Sequence, residues 1–250
     1  MQQLDQIMYM NLYPNYGVHI TATEDERKKQ WGCQTYKEYI ENYCQKISLP
    51  YICFDHYPYC HNDLSMFVEN LKCVKQLADK YKKQVYIVVQ SSSYDKDTFL
   101  NQTQLRTQLY IALAFDIKVF MWACWSAGWW HNHAVDESGK KTKLYADIVK
   151  VNREIKNFFK KFSNYKCGRA HISNSYLMCK MENLQTGKKD AIYVVNTGTE
   201  NESGFSFECK FKPKVYCMDK KCKVKYDKHS CRCTLNLTSG YGAIVKTIIT

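Results

Sequence analysis

The residues best suited to chemistry lie in the stretch 49–59, which reads LPYICFDHYPY. An apolar run, Tyr51–Phe54, leads directly into Asp55, His56 and Tyr57. This order is typical of a buried parallel strand whose last side chains reach the edge of a sheet and face a ligand. A carboxylate there can bind hydroxyl groups or transfer a proton, so Asp55 is the candidate catalytic residue. An alternative also fits the sequence: Asp55 is structural and pairs with nearby backbone or with an arginine such as Arg106.

Three further apolar runs end in polar or aromatic residues in the same way: Ile7–Tyr13, Gln84–Gln90 and Ile117–Trp125. Amide groups bind sugar hydroxyls, and sugar rings stack on aromatic side chains, so these ends suit a carbohydrate cleft. Trp129, in the loop after the last run, belongs to the same aromatic set, although any one tryptophan could instead fill the core. The predicted substrate-binding residues are Asn11, Tyr13, His56, Tyr57, Gln90, Trp122, Trp125 and Trp130.

Helix-length segments separate these runs. Apolar residues recur at three- and four-residue steps in Thr35–Ile47, Leu64–Tyr81, Thr103–Ala114 and Lys143–Phe162, which predicts amphipathic helices. The polar segment Pro14–Gln30 is predicted to be a loop. Four strand-then-helix units with polar residues at the strand ends are typical of a (β/α) barrel, and an eight-stranded barrel needs twice as many. The sequence therefore predicts an α/β fold containing a partial (β/α)8 TIM barrel of about four βα units.

The helical period stops near residue 164, and short alternating runs separated by polar turns follow. This pattern predicts a small antiparallel β-sandwich after the partial barrel. We therefore expect two domains, the half-barrel at 1–163 and the β-sandwich at 164–250. The predicted strands are Tyr176–Met181, Ala191–Asn196, Gly204–Phe211, Val215–Cys217, Cys231–Leu237 and Gly242–Ile248.

Two groups could suggest a metal, and neither has convincing spacing. His131 and His133 lie one residue apart on a loop, with Asp136 nearby and no obvious further ligand. A second group is Cys217, Cys222, Cys231 and Cys233, whose spacing differs from paired C-x-x-C knuckles. Packed free thiols or a local disulfide are the alternatives for these cysteines. We predict no metal site and no cofactor.

Composition limits the partners. The formal net charge is +12, but the lysines are scattered and no nucleic-acid motif accompanies them, so we expect no nucleic acid partner. No apolar stretch approaches the ~20 residues that span a bilayer, so we expect no membrane partner. The thirteen cysteines in a chain with real apolar strands favour a reducing compartment, and no signal peptide is recognisable in the first residues, so localisation stays open.

Several segments together resemble the second half of bacterial glycoside-hydrolase-like TIM-barrel proteins, and more distantly clan A glycosidases. They are NLYPNY (11–16), FDHYPY (54–59), VENLKCVKQLA (68–78), LRTQLYIALAFDIKVFMWACW (105–125), GKKT with VNREI (139–155) and the closing LNLTSGYGAIVK. The resemblance implies a C-terminal half of such a barrel with a C-terminal β domain, acting on O-glycosidic bonds of a carbohydrate.

Glycoside hydrolysis usually needs two carboxylates. The resemblance implies an acid/base glutamate on an earlier strand, in an N-terminal half that precedes this sequence, and a nucleophile glutamate where Gln90 stands. Of the four predicted strand ends, only one carries a carboxylate, Asp55. The expectation is therefore a glycosidase that is incomplete as given, or a non-catalytic carbohydrate-binding relative. Self-association, or the missing N-terminal half, would close the barrel.

Overall fold

The structure is a computed structural model with a mixed α/β fold. It describes residues 9–19, 21–60, 63–126, 130–173, 175–198 and 204–246. The chain divides into two compact units. The first unit comprises residues 1–89 with 117–122, and the second comprises residues 90–116 with 123–250.

In the described residues of the first unit, a three-stranded sheet is accompanied by three α-helices. The strand order is β1-β2-β3, and β1 and β2 run parallel, with Tyr51 opposite Gln84 and His56 opposite Val89. The register places the carboxyl ends of β1 and β2 at the same edge of the sheet. The elements are α1 (Glu24–Trp31), α2 (Tyr36–Lys46), β1 (Tyr51–His56), α3 (Leu64–Lys80), β2 (Gln84–Gln90) and β3 (Val119–Ala123).

Local sequence explains where the helices of this unit begin. Thr35 caps α2 in a reciprocal capping box with Glu38, and the Asp63 side chain accepts a hydrogen bond from the Met66 N–H at the start of α3. The apolar stripe of α3, including Phe67, Leu71 and Val74, is fully buried and contacts β1. The predicted α2 and α3 are confirmed to within a residue at each end.

Two predictions for this unit are wrong in detail. The predicted loop Pro14–Gln30 overlaps α1, which ends one residue later at Trp31. No residue of α1 is buried, so its sequence lacks the recurring apolar positions that indicate a helix. A capping box between Thr23 and Glu26 starts it. The predicted strand Ile7–Tyr13 lies partly outside the described residues. Within its described part, Leu12 forms one isolated parallel bridge to Phe54, and its N–H donates to the Cys53 carbonyl at 2.8 Å.

The second unit combines two helices with two antiparallel sheets. The helices are α4 (Gln102–Ala114) and α5 (Lys143–Phe162). A five-stranded sheet has the order β4-β5-β6-β11-β8, and a three-stranded sheet has the order β7-β10-β9. Their strands are β4 (Tyr165–Ser173), β5 (Tyr176–Asn183), β6 (Ala191–Asn196), β7 (Phe205–Glu208), β8 (Lys214–Cys217), β9 (Lys223–Asp227), β10 (Arg232–Asn236) and β11 (Gly242–Lys246).

Both faces of the five-stranded sheet are covered. On one face, Tyr176 and Val194 share an apolar cluster with Phe205 and Leu235 of the three-stranded sheet. On the other face, Tyr193 packs against helix side chains, and its hydroxyl donates to the Tyr110 carbonyl at 3.0 Å. The second unit is therefore three layers deep, with the helices, the large sheet and the small sheet in that order.

An aromatic cluster joins the helices to the large sheet. The Phe158 ring lies 5.1 Å from Tyr110, 6.0 Å from Tyr193 and 5.7 Å from Tyr216, measured between ring centroids. Gly242 leaves room for the Tyr193 and Tyr110 rings of this cluster, because a Cβ there would lie 2.5 Å from the Tyr193 hydroxyl and 2.6 Å from Tyr110 Cδ1. Aromatic pairs at these separations stabilise a core beyond the apolar area that they bury.

The sequence predicted α4 and α5 and missed two strands. α5 has the predicted bounds, and α4 begins one residue earlier. β4 escaped prediction because a bulge between Cys167 and Ala170 interrupts its alternation, and β9 because its sequence KVKYD is mostly polar. The predicted strand Gly242–Ile248 lies partly outside the described residues. The division at residue 164 stays a prediction, and the compact units have other bounds.

Replacing Phe158 with alanine should lower the free energy of unfolding by about 3–5 kcal/mol, because it empties a buried aromatic position. Phe211→Ala is the matched control, since the Phe211 side chain is 59% exposed. Urea unfolding of the full chain measures both. Equal losses for the two variants would contradict the assignment of Phe158 to the core.

Candidate functional site

The candidate site of the first unit is centred on Asp55, next to last in β1. Its Oδ1 accepts a hydrogen bond from Asn11 Nδ2 at 2.6 Å, and the Tyr57 hydroxyl also donates to this carboxylate. Asn11 is in turn held by Cys53, whose thiol donates to Asn11 Oδ1 at 3.4 Å. Asn11, Asp55 and Tyr57 were all predicted as site residues, and the structure brings these three together.

Tyrosines surround this carboxylate. Burial raises the pKa of Tyr9, Tyr16, Tyr36 and Tyr39, and the negative charge of Asp55 raises each of them further. These phenols therefore stay protonated at neutral pH and can donate hydrogen bonds. The sequence analysis did not select them, because their positions in loops and on a helix stripe gave no sign that they converge on β1.

Tyr13 extends the site outward. Its side chain is 49% exposed, and its backbone N–H donates to the Tyr39 hydroxyl at 3.3 Å. An exposed ring beside a polar group is the arrangement on which a sugar can stack. The predicted residue Trp122 lies in β3 of the same unit and is half-buried.

The Asp55 carboxyl itself is electrostatically unusual. Burial raises the pKa of Asp55, while the hydrogen bonds from Asn11 and Tyr57 act in the opposite direction. Because burial is the largest cause, the net effect of these surroundings is to disfavour the charged form of the carboxyl group. Such a group binds hydroxyl donors strongly and is better suited than an ordinary aspartate to hold a proton near neutral pH.

His56 has a different surrounding. Its ring is buried, and Nδ1 lies 2.8 Å from Asn70 Oδ1, which also accepts the Asn15 N–H at 3.0 Å. Asn70 in turn donates to the Tyr36 hydroxyl at 2.9 Å. This buried network joins the end of β1 and the segment at Asn15 to α2 and α3. The predicted role of His56 in substrate binding stays a prediction.

Gln90, which ends β2, lies in the second unit. Its side chain is 1% exposed, and Nε2 donates to the Ser92 carbonyl at 3.1 Å. Gln108 binds its backbone from both sides: Gln90 N–H donates to Gln108 Oε1 at 2.8 Å, and Gln108 Nε2 donates to the Gln90 carbonyl at 2.9 Å. The Gln90 side chain and backbone thus have hydrogen-bond partners within the protein. The predicted contact of Gln90 with substrate stays a prediction.

The loop after Gln90 holds polar groups that the sequence analysis did not select. Ser92 Oγ lies 3.1 Å from His133 Nδ1 and donates to the Cys124 carbonyl at 2.5 Å. Ser93 and His131 exchange backbone hydrogen bonds at 3.0 and 2.8 Å. The run of three serines after a strand was the available signal. Ser92 is completely buried and His133 is half-buried, and the pair ties two loops together.

The remaining predicted tryptophans are divided. Trp125 is exposed and meets Tyr145 edge-on at 5.5 Å, whereas Trp130 is buried and meets Tyr94 edge-on at 6.0 Å. Part of the Trp125 ring stays exposed for stacking, whereas Trp130 fills the interior of its loop. Trp129 lies outside the described residues.

Arg106, the alternative partner weighed for Asp55, is bonded elsewhere. Its Nε donates to Glu154 at 2.8 and 3.1 Å, and its guanidinium lies 4.0 Å from the centroid of the Tyr241 ring. All three residues belong to the second unit. The arginine is thus used to connect α4, α5 and the segment before β11.

Within the described residues, no group of three or more His, Cys, Asp or Glu side chains is arranged to hold a metal ion. The His131 backbone is hydrogen-bonded to Ser93, and the His133 ring lies beside the Ser92 hydroxyl. The Asp136 side chain accepts hydrogen bonds from Ser138 and Lys140 within its own turn. In that same part of the chain, no helix combines the length and apolarity that crossing a bilayer requires.

No protein-family model matches this chain, and no curated protein matches it. Among solved structures, it is similar to a family 39 glycoside hydrolase from Bacteroides cellulosilyticus, at 11% identity and a TM-score of 0.40 over 72% of this chain. It is also similar to an alpha-L-fucosidase from Vibrio sp. strain EJY3, at 10% identity and a TM-score of 0.39 over 92% of this chain. An alpha-L-fucosidase from Paenibacillus thiaminolyticus follows at 11% identity and a TM-score of 0.41, with 95% of this chain covered.

These similar structures are all glycoside hydrolases of greater length. The chain spans 38% of the first, 46% of the second and 69% of the third. A likeness this remote carries no information on substrate or activity.

Replacing Asp55 with asparagine should raise the free energy of unfolding at pH 7, because it removes a buried charge while leaving an acceptor for Asn11. The folded protein raises this pKa, so it binds the proton more tightly than the unfolded chain does. The wild-type protein therefore loses stability as pH rises through the window above the ordinary aspartate pKa of about 3.9. Thermal unfolding of both proteins at a series of pH values from about 3.5 to about 8 measures the difference in their stability.

The gain should shrink to nothing at the acid end of that range, where Asp55 is protonated in both states. A variant that is less stable than the wild type at pH 7 would show that Asp55 has a structural role instead. Glu69→Gln is a suitable control, since Glu69 is an exposed carboxylate of the same unit.

Proposed function

We propose that this chain is a glycoside-hydrolase-like protein that recognises a carbohydrate at the carboxyl end of β1. The single observation that supports this most is the Asp55 carboxyl group, which is partly desolvated and is oriented by Asn11 and Tyr57. A carboxylate accepts hydrogen bonds from two sugar hydroxyls at once, and the charge strengthens both. Tyr13 offers the exposed ring on which the sugar stacks.

The architecture proposed with this function is a partial (β/α)8 barrel at 1–163 followed by a β-sandwich at 164–250. The parallel pairing of β1 with β2 and the parallel bridge from Leu12 to Phe54 support the first part. The apolar cluster shared by the two antiparallel sheets supports the second. Further strands, from another segment or a second copy of the chain, would be needed to close the barrel.

Hydrolysis of an O-glycosidic bond is the second candidate function. The raised pKa of Asp55, caused mainly by burial, is what a general acid requires. Of strands β1, β2 and β3 as the structure bounds them, however, only β1 carries a carboxylate. A second carboxylate would have to come from outside these three strands, so binding is the better supported function.

Binding can be tested with the full chain on a glycan array, followed by calorimetric titration of the best ligand. Asp55→Asn should weaken that binding about 10-fold or more, because hydrogen bonds to a charged acceptor contribute roughly 1.5–3 kcal/mol. Glu69→Gln removes the same charge from an exposed position on α3 and should bind as the wild type does. Equal affinity of the Asp55 variant and the wild type would exclude this site.

Hydrolysis can be tested separately with chromogenic aryl glycosides. An active enzyme should lose at least about 100-fold in kcat when Asp55 becomes asparagine, since the amide cannot transfer a proton. Sugar binding without any turnover by the wild-type chain would leave carbohydrate recognition as the function and exclude hydrolysis by this chain alone.

A further inference from the structure

Two thiols border the short turn between β8 and β9. Cys217 is the last residue of β8, and Cys222 directly precedes β9. Both side chains are half-buried and pack against the apolar cluster between the two antiparallel sheets. A hydrogen bond between the two side chains joins them. The thiols therefore lie close enough to interact.

Asp219 holds this turn in place. Its side chain is buried, and its two oxygens accept the Lys221 N–H at 2.8 Å and the Thr238 N–H at 2.7 Å. The Asp219 carbonyl accepts the Cys222 N–H at 3.2 Å and lies 3.6 Å from the Cys217 thiol. These bonds fix the backbone on both sides of the pair, so the two sulfurs can meet with little rearrangement.

We propose that Cys217 and Cys222 form a redox-active dithiol, which closes to a disulfide on reaction with a low-molecular-weight disulfide. β8 is one edge strand of the five-stranded sheet, and β9 is one edge strand of the three-stranded sheet. The bond would therefore connect the two sheets at their shared border and stabilise the second unit.

The two thiols have different roles in this reaction. The hydrogen bond from Cys222 lowers the pKa of Cys217 and raises the pKa of Cys222, so Cys217 is the first to ionise. The buried Asp219 carboxylate raises the pKa of both thiols, so the hydrogen bond is what distinguishes them. Cys217 is therefore the attacking thiol, and Cys222 is the thiol that completes the disulfide.

The steps balance in atoms and electrons. The Cys217 thiolate attacks one sulfur of the reagent RSSR, which forms a mixed disulfide and releases one thiolate RS⁻. Cys222 loses its proton and attacks the Cys217 sulfur, which forms the protein disulfide and releases the second RS⁻. Two protein thiols and one RSSR thus give one protein disulfide and two RSH, and the reagent is the oxidant.

Accessibility distinguishes this pair from another in the same unit. Cys209 and Cys233 are also joined by a side-chain hydrogen bond, but both side chains are buried. A dissolved disulfide reaches the half-buried Cys217 more readily than either of them. The reactive pair is therefore the one at the border of the sheets.

The test uses the full chain, reduced and then incubated with oxidised glutathione. Free thiols are blocked with iodoacetamide, and the protein is cleaved with trypsin, which cuts after Lys220 and Lys221 between the two cysteines. The expected product is a pair of peptides held together by a Cys217–Cys222 bond. Oxidation should raise Tm by about 4 °C, and dithiothreitol should reverse the shift.

Variants separate the roles of the two thiols. Cys222→Ser should stop the reaction at a mixed disulfide between Cys217 and glutathione and should abolish the rise in Tm. Cys73→Ser, at a half-buried thiol of α3, is the control and should leave the linked peptides unchanged. Failure to find the linked peptides, or an unchanged Tm once they have formed, would overturn the proposal.

Discussion

Burial of α4 on every side from Leu105 to its end is the constraint on which the second unit depends. Ten consecutive residues, 105–114, are buried, so the helix has no face left for water. Every polar group among them must then find a partner within the protein. Arg106 binds Glu154 of α5, Thr107 donates to the Thr103 carbonyl, and Gln108 binds the backbone of Gln90. A helix with a single apolar stripe leaves its other side in water. α4 instead contacts both α5 and strands of the large sheet.

Asp55 is the opposite case, because burial disfavours the charged form of its carboxyl group. Neither Asn11 nor Tyr57 removes the unfavourable effect of burial on its carboxylate. Residues that disfavour folding persist where a ligand uses them, and this distinguishes Asp55 from buried polar groups such as Asn70, whose bonds hold two segments together. The proposed carbohydrate site rests on that distinction.

The border between the two antiparallel sheets shows how edges are managed. Lysines alternate along β9, and charged side chains on an edge strand discourage pairing with another chain. The turn beside that edge keeps two thiols close together through a buried aspartate. An edge strand that resists aggregation and a turn that can be closed covalently thus lie at the same place.

Sequence by itself determined the elements whose signal is local. α2, α3 and α5 could be predicted because apolar residues recur at helical spacing along consecutive positions, and Asp55 because it ends an apolar run. α1 and β9 lack such a stripe and escaped prediction. Only the tertiary structure decided which residues meet: Asn11 with Asp55, Arg106 with Glu154, Cys217 with Cys222. Periodicity reports which side of an element is buried, whereas these pairings depend on how distant segments pack, and that information is absent from any one segment.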